Sequence, residues 1–222
     1  MFFTSVFLCV AVLVATVASA SAPLSDLEAL VMLTADWTQK DESWTANASS
    51  ACNWNGTSCE FGYVIEFAWA PFPECEGTVK TAYLPRNLEI LALDGNRFSG
   101  SVDFTQLPPT LVNLGLSYNM FSGRTNVTRL PEGLQTFRIE HNQFSGSLDF
   151  DKLPWLLMDI NIASNFFDGQ VPSLTTLPFQ LTDLLMQNNN FCGSTPIVNA
   201  DLAKFDVSPC VEANNTVVCK AC

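Results

Sequence analysis

Five segments of this chain repeat one phrase, in which leucine-type residues, an asparagine, a phenylalanine and a glycine keep fixed offsets. The first clean copy, LEILALDGNRFSG, runs from Leu88 to Gly100. The next copies start 23, 23, 23 and 24 residues further on, at Leu111, Leu134, Leu157 and Leu181. A Leu-Pro pair recurs in the same phase, at Leu84, Leu107, Leu130, Leu153 and Leu177. Two markers in phase predict a solenoid of stacked coils.

The spacing inside the phrase predicts the shape of one coil. Leu91 and Leu93 alternate with outward residues, as in a short strand with one buried face. The asparagine should satisfy backbone groups of neighbouring coils, the phenylalanine should fill the interior, and the glycine should allow a tight bend. One coil cannot bury its apolar side alone, so coils stack and both ends need caps. The sequence therefore predicts an α/β leucine-rich repeat solenoid with right-handed coils and short parallel strands on its concave face.

The two ends of the chain frame these repeats. Residues 1–20 are apolar, lack Lys and Arg and end in small residues, which predicts a secretory signal peptide rather than a membrane anchor. Residues 21–62 form a predicted N-terminal cap, with Ser25 and Glu28 as the capping box of a helix. Residues 63–196 hold about five regular repeats and a degenerate one, and residues 197–222 form a C-terminal cap. In the degenerate coil, Val64, Phe67 and Trp69 take the leucine slots.

The cap and linker motifs carry a family resemblance. The helix, Trp44 and the CNWNGTSC stretch from Cys52 to Cys59 resemble the N-terminal cap of extracellular leucine-rich repeat proteins. Residues 23–196 resemble secreted members with plant-like caps, and the FSGxxDxxxLPxxL linkage is most similar to protist, particularly trypanosomatid, surface antigens. A plant linkage has proline where this chain has Asp103, Asn126 and Asp149. The resemblance implies recognition of protein or glycan, without a catalytic centre.

The cysteines predict disulfides inside each cap. The cysteines near the N-terminal cap and those near the C-terminal cap lie more than about 20 Å apart, because each coil adds at least about 4.7 Å. The two sets therefore cannot pair with each other. We therefore expect pairs Cys52–Cys59, Cys192–Cys210 and Cys219–Cys222. Cys75 is then left over, either free or paired with another chain.

Charge and sequons indicate the surroundings of the chain. The formal net charge is −12, which makes nucleic acid and anionic membranes poor partners. We expect a secreted protein, held at the cell surface if the reading frame continues beyond its last residue. An extracellular protein or glycan is the expected partner, and the oligomeric state stays open. Predicted glycosylation sites are the sequon residues Asn47, Asn55, Asn126 and Asn214.

Residues that could support catalysis or metal binding have simpler explanations. His141 is the only histidine and occupies a variable repeat position, so its ring is expected to be an exposed side chain rather than a catalytic base. The CKAC end could suggest a redox pair or half a zinc site, but a secreted chain favours a disulfide. We therefore expect no enzyme activity, no cofactor and no metal site.

The outward residues of the predicted strands give the candidate binding surface. Its middle coils present Tyr118, Arg138, Glu140 and His141 together, amid small residues, and Tyr118 and Arg138 are the expected anchors. The remaining candidate contacts on this face are Asp94, Asn113, Ser117, Asp159 and Asn161. A merely solvated face is the alternative. For function, the alternative to surface-antigen or adhesion-like recognition is a secreted inhibitor of an extracellular hydrolase.

Overall fold

The structure is a computed structural model that describes residues 24–45, 48–69, 75–173, 177–196, 204–206, 211–213 and 216–218. The predicted signal peptide lies outside these ranges. So do five of the residues assigned above to disulfides or glycans, and the predictions for them stay predictions: Asn47, Cys210, Asn214, Cys219 and Cys222.

The N-terminal cap begins with the one α-helix of the described chain, α1 (Asp26–Leu33). Ser25 and Glu28 form the predicted capping box, in which the Glu28 backbone N–H donates to Ser25 Oγ and the Ser25 backbone N–H donates to Glu28 Oε2. The helix ends at Leu33, with the Thr34 hydroxyl donating to the carbonyl of Leu30. No helix in the described ranges is long and apolar enough to span a membrane.

An eight-stranded sheet, here called the concave sheet, joins the coils. It starts with the antiparallel pair β1 (Thr57–Glu60) and β2 (Tyr63–Ala68) and continues in parallel. The parallel strands are β4 (Ile90–Ala92), β6 (Asn113–Gly115), β8 (Thr136–Arg138), β10 (Asp159–Asn161), β12 (Asp183–Leu185) and β14 (Lys204–Asp206). Phe67 pairs with Leu91 across β2 and β4, which confirms the degenerate coil. Strand β14 extends this sheet into the segment predicted to be only a cap.

A second parallel sheet follows the first around each coil, and the sequence did not predict it. Its strands are β3 (Glu76–Thr78), β5 (Arg97–Gly100), β7 (Met120–Arg124), β9 (Gln143–Ser147) and β11 (Phe166–Asp168). Glycine, which recurs in these strands, has low intrinsic strand preference, and the stacking of equivalent coils brings the backbones into register. A small antiparallel sheet at the C-terminal end contains β13 (Ser194–Pro196), β15 (Val211–Ala213) and β16 (Thr216–Val218).

Short 3-10 turns close the third side of the coils. They span Thr81–Tyr83, Phe104–Gln106, Val127–Arg129 and Phe150–Lys152. Asp103 and Asn126 are N-caps of two of these turns, and their side-chain oxygens accept hydrogen bonds from the backbone N–H groups two residues on. This explains physically why the chain departs from the plant proline at these positions, since proline has no side-chain acceptor.

The solenoid interior contains the predicted aromatic stack. The phenylalanines of successive coils are buried, and neighbouring ring centroids lie 6.2, 6.0, 6.4 and 6.5 Å apart. The stack consists of Phe98, Phe121, Phe144, Phe167 and Phe191. Its N-terminal end packs against Trp37 of the cap, whose ring centroid lies 4.4 Å from that of Phe98.

The predicted asparagine ladder is also present. In the coil that contains β6, the side-chain amide of Asn119 donates to the carbonyl of Leu93 in the preceding coil and to the carbonyls of Leu116 and Ser117 in its own coil, at 2.9 to 3.2 Å. Its Oδ1 accepts the backbone N–H of Phe98. One buried amide thus satisfies four backbone groups, and Asn142, Asn165 and Asn189 repeat the pattern.

One predicted disulfide lies in the N-terminal cap, and the odd cysteine lies in the degenerate coil that follows it. Cys52 and Cys59 are bonded to each other, which confirms the first predicted pair. Cys192 is also disulfide-bonded, and the predicted pairing with Cys210 stays a prediction. Among the described cysteines, Cys75 is free and buried, and burial raises the pKa of its thiol. A bond from Cys75 to another chain would therefore require this part of the protein to open.

Candidate functional site

The concave sheet positions the predicted contact residues by its alternation. The middle residue of each three-residue strand points into the core, and the two flanking residues face outward. Arg138 is exposed, whereas Asn113, Asp159 and Asn161 are half-buried. Regular coils are numbered 1 to 5 from the Leu-Pro turn at Leu84, so the candidate residues other than Asp94 lie in coils 2 to 4.

Arg138 is held by an acidic environment. Its guanidinium donates two hydrogen bonds to Asp159 Oδ2 in the next coil, one of them from Nε at 3.1 Å. The hydrogen bonds from Arg138 to Asp159, together with the charges of Asp159, Glu140 and Asp94, raise the pKa of Arg138 although partial burial opposes this. The guanidinium is thus a permanent cation, fixed in orientation and half exposed to a partner.

The Asp94 side chain makes contacts within the fold. Its Oδ1 accepts the backbone N–H of Ser117 at 2.8 Å, and its Oδ2 lies 2.4 Å from where a Cβ on Gly115 would be. The Asp94 carboxylate therefore fills the space beside Gly115 in this conformation. Ser117 is buried, so it lies below any contact surface in this conformation.

Tyr118 and His141 form a stacked pair beside the sheet. Their ring centroids lie 4.3 Å apart with an angle of 17° between the planes, and both side chains are exposed. Both backbones are left-handed, with φ of 55° and 53°. The same column in the other coils is also left-handed, at Gly95, Ser164 and Asn188. The turn after each strand thus projects this side chain away from the sheet.

The other predicted contact residues are less available to a partner. The backbone carbonyl of Glu140 accepts from the Tyr118 N–H, and the Glu140 side chain is partly buried beside Arg138. Asn161 Oδ1 accepts the N–H of Ala163 at 3.2 Å, which ties that side chain to its own turn. The structure therefore brings together two pairs, Arg138 with Asp159 and Tyr118 with His141, and leaves the remaining candidates largely in structural roles.

Four exposed apolar side chains were not singled out from the sequence. Trp155, Leu156, Met158 and Phe179 lie in or just after the Leu-Pro turns that lead into β10 and β12. Aligning the repeats and comparing the residues at equivalent positions would have identified them. Trp155 and Phe179 stand where earlier coils have Arg86, Pro109 and Glu132.

Two clefts lie at the N-terminal cap, away from Arg138 and Tyr118. One, of about 390 Å³, is formed by α1 and the first Leu-Pro turns and includes Leu24, Tyr83 and Arg86. The second, of about 490 Å³, is formed by Leu24, Ser50, Tyr63 and Arg86. Within the described ranges, no three His, Cys, Asp or Glu side chains are grouped so that they could hold a metal ion.

The two described sequon asparagines are exposed. The amide nitrogen of Asn55 donates to Asp41 Oδ2 at 3.1 Å, whereas Asn126 Oδ1 accepts from both the N–H and the hydroxyl of Thr128. Asn126 lies on the 3-10 side of coil 2, away from the concave sheet.

The fold is similar to that of plant leucine-rich repeat ectodomains. PEPR1, solved with AtPEP1, matches with a TM-score of 0.69 at 24% identity, over 77% of this chain and 26% of that one. The ectodomain of the Arabidopsis receptor kinase HAESA, solved with an IDA peptide hormone ligand, gives 0.65 at 26% identity over 75% of this chain and 29% of that one. A chain of the Arabidopsis thaliana BIR3–SERK2 complex gives 0.61 at 26% identity over 76% of this chain and 96% of that one. The chain thus spans about a quarter of the length of PEPR1. No known protein family and no curated protein sequence matches it.

Proposed function

We propose that this protein is an extracellular leucine-rich repeat module that binds a protein or glycan through the concave sheet, in a surface-antigen-like or adhesion-like role. The ligand is seated over coils 2 to 4, with Arg138 and Tyr118 as its anchors. The role is recognition and not catalysis.

The observation that carries this proposal is the display of two side-chain pairs on adjacent coils. The Arg138–Asp159 ion pair and the Tyr118–His141 stack have no part in the asparagine ladder or the aromatic core, yet both are held in fixed orientations. Arg138 pairs in register with Gly115, three residues before Tyr118, so the two pairs lie on neighbouring coils. Tyrosine and arginine are the residue types that most often dominate interface energy.

Two structural neighbours support a protein partner. HAESA was solved with a peptide hormone, and BIR3 was solved in complex with SERK2. A non-catalytic role is supported by His141, whose exposed ring is stacked on Tyr118 in a variable repeat position.

The test starts by capturing the partner. The purified protein is cross-linked in extracellular fluid or host material, and the captured molecule is identified and titrated by calorimetry. We expect Arg138→Ala with Tyr118→Ala to weaken this binding at least tenfold, about 1.4 kcal/mol. Stability should fall by less than about 1 kcal/mol, because half-exposed ion pairs contribute about that or less.

Arg124→Ala is the matched control, since Arg124 is an exposed arginine on the Asn126 side of coil 2. It should leave the affinity unchanged. If the partner's affinity is unchanged in the double variant but falls in Arg124→Ala, the concave sheet is the wrong binding face. Capture of a hydrolase whose activity falls on binding would establish the inhibitor alternative.

A further inference from the structure

One flank of the solenoid carries a patch of exposed apolar side chains. Trp155 and Phe179 are 65% and 73% exposed, and Leu156 and Met158 are each about two-fifths exposed. These four residues are called the apolar flank patch. Clustered exposed apolar groups mark interaction sites more often than scattered ones do.

The patch is continuous because the two coils make the same turn. The N–H of Leu157 donates to the carbonyl of Pro154, and the N–H of Leu181 donates to that of Pro178, at 3.2 and 3.1 Å. The N–H of Thr182 then donates to the carbonyl of Met158, which joins the two turns. Asp159 pairs with Asp183 in the strands that follow. Trp155 and Phe179 therefore occupy equivalent positions one coil apart, at a backbone spacing of about 4.8 Å.

The fold does not require apolar residues at these positions. Coils 1 to 3 build the same Leu-Pro turn with Arg86, Pro109 and Glu132 in the column of Trp155. The patch is thus a local departure from the repeat, confined to coils 4 and 5.

Carboxylates of the concave sheet adjoin the patch. Met158 is followed directly by Asp159, and Thr182 is followed by Asp183. Asp159 is already paired with Arg138, but Asp94 and Glu140 also act on that guanidinium, so the carboxylates outnumber the one cation, and the whole chain carries a formal net charge of −12. Charge complementarity therefore favours a basic partner here, and attraction between opposite charges steers such a partner to the surface.

We propose that the apolar flank patch docks a protein segment that combines basic residues with a bulky apolar side chain. The apolar side chain packs against Trp155 and Phe179, and the basic residues lie over the carboxylates at the ends of β10 and β12. This inference rests on the proposed function, because it extends the same recognition surface from the concave sheet onto its flank.

Trp155 provides a direct readout. All five tryptophans lie in the described ranges, and the other four are at most 7% exposed. A synthetic peptide of alternating Lys and Leu is titrated into the protein while tryptophan emission and iodide quenching are followed. We expect the emission to shift to shorter wavelength and quenching to fall, because the peptide covers Trp155.

Phe179→Glu is the test variant, since coil 3 carries Glu132 at the same position of the same turn. It keeps Trp155 as the reporter, and it should weaken the peptide at least tenfold, about 1.4 kcal/mol. Met120→Glu is the matched control, because Met120 is an exposed apolar residue in β7, outside the patch. It should bind the peptide like the unmodified protein.

Four results would overturn the inference. In the first, an alternating Lys-Ser peptide of equal charge binds as tightly as the Lys-Leu peptide. In the second, Phe179→Glu has no effect on the affinity for the Lys-Leu peptide. The protein alone could dimerise in sedimentation and dissociate on Phe179→Glu, which assigns the patch to a second copy. A neutral cello-oligosaccharide could give the same Trp155 shift, which assigns it to a glycan.

The captured partner separates this inference from the proposed function. If Phe179→Glu leaves that partner's affinity unchanged while Arg138→Ala with Tyr118→Ala weakens it, the flank inference alone is wrong. If only Phe179→Glu weakens it, the flank is the binding surface and the concave-sheet assignment is wrong.

Discussion

At the scale of single residues, the ladder asparagines combine several backbone contacts in one side chain. Asn142 is 8% exposed, and its amide donates to the carbonyls of Leu116, Ile139 and Glu140. Its Oδ1 accepts the backbone N–H of Phe121 at 2.9 Å. No other side chain of that length presents two donors and an acceptor in this arrangement.

Asn142→Ala should lower the free energy of unfolding by about 2–3 kcal/mol. The change leaves the buried Phe121 N–H without its acceptor, and an unsatisfied buried group costs about 1–3 kcal/mol. Urea denaturation followed by circular dichroism measures the loss. Gln143→Ala, at the exposed next position, should change stability by less than about 0.5 kcal/mol. Equal losses in both variants would show that the ladder is not the cause.

At the scale of elements, Asp36 joins the N-terminal cap to the second sheet. Its Oδ2 accepts from the Thr78 hydroxyl at 2.6 Å, and its Oδ1 lies 3.3 Å from Lys80 Nζ. Burial alone would raise the pKa of Asp36, but hydrogen bonds from Thr78, its own backbone and Lys80, with the lysine charge, hold it below its usual range.

Asp36→Asn should destabilise the protein near neutral pH and progressively less in acid. A depressed pKa means that the folded state favours the carboxylate, so this contribution is present above the usual aspartate pKa. It disappears as pH falls through the lower folded-state value. Thermal melts of Asp36→Asn and the parent across this range measure the difference. Glu132→Gln, an exposed carboxylate in a Leu-Pro turn, is the control, and a Asp36→Asn deficit that is constant with pH would contradict the assignment.

The 3-10 turns offer a paired test of glycosylation. Asn126 and Asp103 make the same turn, each accepting from a threonine two residues on, with hydroxyl contacts of 2.6 Å. In a glycosylating eukaryotic host, Asn126→Asp should keep the turn and lose one glycan, whereas Asp103→Asn creates an Asn-Phe-Thr sequon and should gain one. Mass spectrometry before and after glycosidase treatment reads both. A parent protein with no glycan at all would count against secretion.

Much of this element order was predictable because the repeat spacing sets strand register. The slots of Val64, Phe67 and Trp69 predict the degenerate coil, and the structure pairs Phe67 with Leu91. The second sheet was not predicted, since its strands lack the regular alternation of buried and outward residues that marks the concave strands. In the candidate site, the spacing places Arg138 and Tyr118 on the outward side. The closure of Asp94 over Gly115 depends on a side-chain rotamer that spacing does not determine.

At the scale of the whole molecule, the aromatic stack couples each coil to its neighbours. Phe144 is 1% exposed, and its ring centroid lies 6.0 Å from Phe121 and 6.4 Å from Phe167. In a solenoid, stability is a sum of coil and nearest-neighbour terms. A defect in the middle should therefore weaken the link between the two halves.

Phe144→Ala should cost about 3–5 kcal/mol and reduce the cooperativity of unfolding. Hydrogen exchange should show the largest loss of protection in β7, β9 and β11, with β2 and β4 less affected. Phe166→Ala is the matched control, because Phe166 is an exposed phenylalanine in the next coil and should leave protection unchanged. Uniform loss of protection along the chain would contradict nearest-neighbour coupling.

The left-handed residues that follow the concave strands have a consequence for stability. Glycine is the least strained residue there, and coil 1 has it at Gly95, but Tyr118 and His141 hold the same conformation with full side chains. Each such residue costs about 1 kcal/mol of backbone strain. A variant with glycine at both positions would be free of this strain. It would also lose the aromatic pair on which recognition is proposed to depend. The same two residues therefore carry both the backbone strain and the proposed contacts with a partner.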